Sequence, residues 1–150
     1  MVFNVITTLH SYNGTDERFL QLTDWDRELA RPMISIVDDD DFVRESLRDL
    51  IESLGYNVAV FESAERFLEA ACLAETSCVI TDLQMPGLSG LDLQGRLIAD
   101  GRYIPIIFVT AFPDEKFRAR AMSAGAAGFL SKPFNERSLI SCLESALSPS

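Results

Sequence analysis

From Met33 onward, short apolar runs alternate with stretches in which apolar residues recur every three or four positions. The first run, Met33 to Val37, ends in Asp38-Asp39-Asp40-Asp41. Phe42, Val43, Leu47, Leu50, Ile51 and Leu54 follow at helical spacing, and Gly55 predicts the helix stop. Val58 to Phe61 predicts a second strand, and Ser63 is placed to cap a helix carrying Phe67, Leu68 and Ala71. Cys78 to Thr81 predicts a third strand that runs straight into Asp82. Pro86-Gly87 then turns the chain into a helix capped by Ser89 and carrying Leu91, Leu93, Leu97 and Ile98. Ile104 to Val109 is nearly all apolar, which predicts a fourth strand covered on both faces. Asp114 begins a fourth helix with Phe117, Ala121 and Ala124, ended by Gly125. Gly128 to Leu130 predicts a short fifth strand, and Asn135 opens a last helix with Leu139, Ile140, Leu143 and Ala146.

The alternation is strand-helix, repeated five times. It predicts an α/β fold: a doubly wound (βα)5 unit with a parallel five-stranded sheet, helices on both faces and strand order 2-1-3-4-5. In that order the connections diverge between the first and third strands, and a crevice opens beyond their carboxyl ends. Asp38 and Asp39 end the first strand and Asp82 ends the third, so the topology predicts that these three carboxylates converge. Thr110 ends the fourth strand and Lys132 follows the fifth, on the same edge of the sheet.

Residues 1–32 differ from this pattern and are read as an N-terminal extension before a domain at 33–150. Asn13-Gly14 marks a turn, and Phe19, Leu22, Trp25 and Leu29 recur at roughly helical spacing before Pro32. Two readings stand: a loosely docked tail, or an amphipathic segment that packs on the domain or on a second copy.

Composition narrows the function. The chain has 150 residues, enough for one sizeable core. Its formal net charge of −10 argues against a grip on nucleic acid or an anionic membrane, which needs clustered Lys and Arg. Cys72, Cys78 and Cys142 are three, far apart and without a C-x-x-C pair, and His10 is the one histidine; neither zinc nor a disulfide framework is expected. No apolar stretch is long enough to span a bilayer and no signal peptide is expected, so a cytoplasmic location is the default.

Three carboxylates in one crevice repel, so they take up protons or hold a cation. Oxygen ligands without His or Cys suggest a hard ion such as Mg²⁺. Such an ion beside a carboxylate invites a phosphoryl group, and Asp82 can then act as a nucleophile and form an acyl phosphate. Lys132 would bring a cation to the phosphoryl oxygens and Thr110 a hydroxyl from the opposite side. Each residue also has a plain reading. Asp40 and Asp41 are a solvated helix start, Asp82 alone is as readily a turn residue, and Thr110 or Lys132 alone says little. It is the joint placement on one sheet edge that favours chemistry. The peptide before Pro133 is a candidate for the cis form.

At this point a resemblance is plain. Ile36-Val37-Asp38-Asp39-Asp40, Asp82-x-x-Met85-Pro86-Gly87-x-Ser89-Gly90, Val109-Thr110-Ala111 and Gly128-Phe129-Leu130-Ser131-Lys132-Pro133-Phe134 occur in order and in register. They resemble the receiver domain of two-component response regulators, from about Met33 to Ala146. The resemblance implies a flavodoxin-like fold and transfer of a phosphoryl group to Asp82 from a sensor histidine kinase. It implies Mg²⁺ (or Mn²⁺) bound by Asp39, Asp82 and the main-chain carbonyl of Gln84, with Asp38 acting through water. It also implies Thr110 and Phe129 as a switch pair, and a readout face built by the fourth helix, fifth strand and fifth helix, commonly by homodimerisation. Gln84 and Phe112 occupy family positions that tune dephosphorylation, and neither is an acid; the acyl phosphate is therefore expected not to be unusually short-lived. Phe129 stands where Tyr is frequent.

Two rivals share parts of this pattern. A phosphatase with an Asp nucleophile would use Asp-x-Asp on the first strand, which Asp38 and Asp40 satisfy, but would also want a cap. A mononucleotide binder would want a Gly- or Ser/Thr-rich loop where this chain has four Asp. No output segment follows the last helix before Ser150. The expectation is a single-domain regulator or one trimmed from an effector, such as a DNA-binding domain.

Overall fold

The computed structural model describes residues 31–148. The predicted segment around Phe19, Leu22, Trp25 and Leu29 lies outside them. Strands and helices alternate: β1 Met33–Val37, α1 Asp41–Ser53, β2 Asn57–Phe61, α2 Ala64–Glu69, β3 Thr76–Thr81, α3 Gly90–Ala99, β4 Ile106–Thr110, α4 Glu115–Ser123, β5 Gly128–Ser131 and α5 Glu136–Leu147. All strands pair in parallel, in the order β2-β1-β3-β4-β5. The α/β, flavodoxin-like expectation and its strand order hold.

Strand residues alternate between two cores, as the pleat requires. Ile34, Ile36, Cys78, Ile80, Ile107 and Val109 face α1 and α5, where they meet Leu47, Ile51, Leu139 and Leu143. Val37, Val79, Ile106 and Phe108 face the other side, against Phe67 of α2, Leu93 and Leu97 of α3 and Ala121 of α4. Polar side chains inside are matched. The hydroxyls of Ser35 and Thr76 lie 2.8 Å apart. Buried Gln94 donates from Nε2 to the Ala121 carbonyl at 3.1 Å, which ties α3 to α4.

The helix starts follow from their caps. Asp40 accepts the amides of Phe42 and Val43, Ser63 that of Arg66, Asp114 that of Lys116, and Asn135 those of Arg137 and Ser138. Ser89 and Asp92 bond reciprocally as a capping box. Asp40 and Asp41 thus occupy a helix start, as read from sequence. Several bounds differ from expectation: β2 begins at Asn57 and β5 ends at Ser131, each one residue beyond the predicted run. Ala71 belongs to a 3-10 turn, Ala71–Glu75, not to α2. β3 begins at Thr76, where the Thr76–Ser35 hydroxyl pair extends the buried surface beyond the apolar run. β4 begins at Ile106, because Pro105 has no amide to give to a ladder and contributes only its carbonyl, to Val79.

Candidate functional site

Asp38 and Asp82 leave adjacent strands at the same level. The Asp38 amide bonds the Phe61 carbonyl at 3.1 Å and the Asp82 amide bonds the Val37 carbonyl at 3.0 Å. Each residue therefore continues the ladder by one step before the chain turns away, which aims both carboxylates out of the same edge. Asp39 is next in line. One carboxylate oxygen from each of Asp38, Asp39 and Asp82 lies within 4.8 Å of the others. Asp38 is buried at 2% exposure, Asp82 is half-buried and Asp39 is exposed.

Lys132 reaches the acids from the far side of the sheet. Its Nζ donates to Asp38 Oδ2 at 2.9 Å and to Asp82 Oδ2 at 3.2 Å. The remaining oxygens have backbone donors: Asp38 Oδ1 takes the Asp40 amide at 2.9 Å, and Asp82 Oδ1 takes the Gln84 amide at 3.3 Å. Lys132 is placed by its own backbone, whose N–H donates to the Thr110 carbonyl at 2.8 Å. The Lys132–Pro133 peptide is cis.

Burial pushes the Asp38 carboxyl above its ordinary range; the Lys132 hydrogen bond and the Asp40 amide pull it back only in part, and the nearby Asp82 charge adds to the rise. For Lys132, burial works against the charge, but its bonds to Asp38 and attraction to both acids win, so its pKa is raised. The two shifts are consistent. The ammonium is held firmly charged, while desolvation costs Asp38 more than one partner returns. Three acids face one lysine, and oxygen donors with surplus negative charge fit a small, hard divalent cation.

The other expected residues sit on the same edge with different partners. Thr110 is fully buried, and its hydroxyl accepts the Phe112 amide at 3.2 Å, within its own loop. Phe129, on β5, is half-buried and packs against Phe108 with ring centroids 6.0 Å apart. Gln84 is exposed, in the loop that leaves Asp82.

One contributor was not read from sequence. Arg44, on α1, donates from Nη1 to the Asp38 carbonyl at 2.6 Å and pairs through Nη2 with Asp41. Its side chain is 13% exposed, so it braces the acidic turn from behind. The i,i+3 spacing to Asp41 was the available signal, but such pairs are common on helix surfaces.

With this geometry in place, comparison with known proteins is direct. The family model for the response regulator receiver domain matches residues 34–144. The transcriptional regulatory protein FixJ of Azorhizobium caulinodans is 41% identical over 114 residues, which are 76% of this chain and 54% of that protein. The response regulator protein TmoT of Ectopseudomonas mendocina is 42% identical over 115 residues, 77% of this chain and 52% of that protein. The chain thus spans about half the length of the curated relatives it matches. Among solved structures, response regulator StyR superposes with a TM-score of 0.73 and 45% identity, covering 79% of this chain and 60% of that one. A structure titled FixJ-N gives 0.69 and 36% identity, covering 77% of this chain and 93% of that one. The four motifs, the parallel sheet and the acid cluster at its edge belong together in one lineage: the chain is a member of the response regulator receiver domain family.

Proposed function

We propose that this receiver takes a phosphoryl group onto Asp82 from a phosphohistidine of a sensor histidine kinase, with Mg²⁺ or Mn²⁺ as the required ion. The observation that carries the reading is the shared space of Asp38, Asp39 and Asp82 with the Lys132 ammonium on two of them. Asp38, Asp39, Asp82 and the Gln84 carbonyl would hold the ion. When bound, it offsets the repulsion between the carboxylates and the incoming phosphoryl oxygens.

The Asp82 oxygen forms the new bond to phosphorus as the phosphorus–nitrogen bond of the donor breaks, and the imidazole leaves with the electron pair. Lys132 exchanges its bond to Asp82 for one to a phosphoryl oxygen. The Thr110 hydroxyl turns from the Phe112 amide to donate to the same group, and Phe129 follows into the space behind it. The face of α4, β5 and α5 reports the change, by dimerisation. This is a bistable element biased by a new charge. The domain occupies 33–150, with 1–32 as an extension, and works in the cytoplasm within a larger transcriptional regulator like its named relatives.

Intact mass after incubation with Mg²⁺ and acetyl phosphate tests the assignment. One added phosphoryl group is expected, and none on Asp82→Asn. An adduct that survives this substitution, or turnover of many substrate molecules, overturns it. Gln84 and Phe112 offer no acid to orient an attacking water, and both side chains are exposed. The adduct is therefore expected to outlast the seconds scale in Mg²⁺ buffer, and decay within seconds would contradict this.

A further inference from the structure

The loop from Asp82 to Ser89 carries the acceptor carboxylate and the Gln84 peptide, so its path decides where both stand. Its base is fixed from within. The Gln84 amide donates to Asp82 Oδ1 at 3.3 Å, and the Gly90 amide donates to the Leu83 carbonyl at 2.9 Å. A Cβ at Gly90 would overlap the Asp82 carbonyl oxygen, so the two ends of the loop are in backbone contact.

The tip is held from a different element. Glu65, in the first turn of α2, accepts the Leu88 amide on Oε2 at 3.3 Å. The same carboxylate rests on Gly87, whose φ of +78° is the left-handed region that glycine enters freely. A Cβ there would overlap Glu65 Oε2 and stand 3.1 Å from Cδ. The carboxylate seats on the loop only because position 87 has no side chain.

We infer that Glu65 is a positioning residue. Its carboxylate latches the tip of the β3–α3 loop to α2, and so keeps the Gln84 peptide in register with Asp82 and the other acids. Glu65 bonds the loop and is not one of the clustered acids, so it acts through backbone position alone. A carbonyl ligand contributes fully only when its peptide is already placed, because ordering a free loop on binding subtracts from affinity. The latch follows from the contacts above; its consequence for the ion rests on the phosphoacceptor reading.

The test uses the full chain with Glu65→Ala, Glu65→Gln and, on the same helix, Glu69→Ala as control. Amide hydrogen exchange at Leu88 is read without added metal, and affinity for Mg²⁺ alone is read by calorimetry. Glu65→Ala is expected to speed Leu88 exchange and weaken Mg²⁺ binding about three- to tenfold, the scale of one lost hydrogen bond. Glu65→Gln keeps an acceptor oxygen without the charge and is expected to stay within about twofold of wild type. Glu69→Ala is expected to match wild type. Unchanged exchange in Glu65→Ala overturns the latch, and faster exchange with unchanged Mg²⁺ affinity overturns the positioning role. Equal weakening in the Ala and Gln variants overturns it too, since the effect then belongs to charge. Phosphoryl uptake by the wild type from acetyl phosphate is measured alongside. Its absence sinks the phosphoacceptor reading and leaves the latch to be judged on exchange and affinity.

Discussion

In β1 and β3, Ile34 to Val37 and Cys78 to Thr81 lie in a close-packed interior, whereas the next residues, Asp38, Asp39 and Asp82, crowd like charges at its rim. Inside, polar groups are few and bonded, and among the described residues no buried side-chain polar atom is left without a partner. At the rim, Asp38 is buried at a net cost even with Lys132 beside it. The two regions share backbone and differ by one residue step. The interior is arranged for stability, and the rim spends some of it to keep oxygen donors close together.

The sharpest way to break the interior is Phe108→Ala. Phe108 has no exposure and packs with Phe129 and the α2–α3–α4 core. Denaturant unfolding is expected to show a loss of about 3–5 kcal/mol. At the rim, Lys132→Met leaves Asp38 and Asp82 without their common cation. A loss of about 1–3 kcal/mol is expected at neutral pH in chelator, with part of it returned by excess Mg²⁺. No recovery with Mg²⁺ would count against the shared cation site.

The smallest effect has the opposite sign. Asp38→Asn is expected to raise the Tm in chelator, by less than either of the losses above would lower it, while weakening Mg²⁺ binding. The pH dependence fixes the cause. Asp38 binds its proton more tightly folded than unfolded, so its contribution to stability is fully present below the ordinary value of 3.8 and is lost as pH rises through the elevated folded pKa. The advantage of Asn is therefore full above that pKa and fades as pH falls toward 3.8, where the carboxyl is neutral in both states. An advantage that persists in acid would assign the gain to packing.

How much of this was legible in the sequence depends on where each residue's partner lies. β1 and β4 announce themselves as apolar runs, and the caps at Asp40, Ser63, Ser89, Asp114 and Asn135 are local, so their signals travel with the chain. The meeting of Asp38, Asp39 and Asp82 was legible one level up, because alternating elements fix a strand order and the order fixes which strand ends are neighbours. Arg44, Glu65 and Gln94 were not legible. Each is a polar residue on a helix whose partner is a main-chain atom of another segment, the Asp38 carbonyl, the Leu88 amide or the Ala121 carbonyl. Apart from the amide that proline lacks, main-chain atoms are the same in every residue and leave no mark in the sequence. Thr76 was missed because a hydroxyl reads as polar until its partner, Ser35, is found across the sheet.

The position of β1 between β2 and β3 has a consequence for the protein during its synthesis. The ribosome releases β1 before β3, so its second flank stays bare until Thr76–Thr81 has cleared the exit tunnel and docked beside it. Until then Asp38 and Asp39 have water around them and no third acid. A nascent chain whose residue 82 is still inside the tunnel has β1 paired on one flank only and lacks Asp82 beside Asp38 and Asp39. Once residue 82 has emerged, pairing of β3 with β1 and the meeting of the three carboxylates come together.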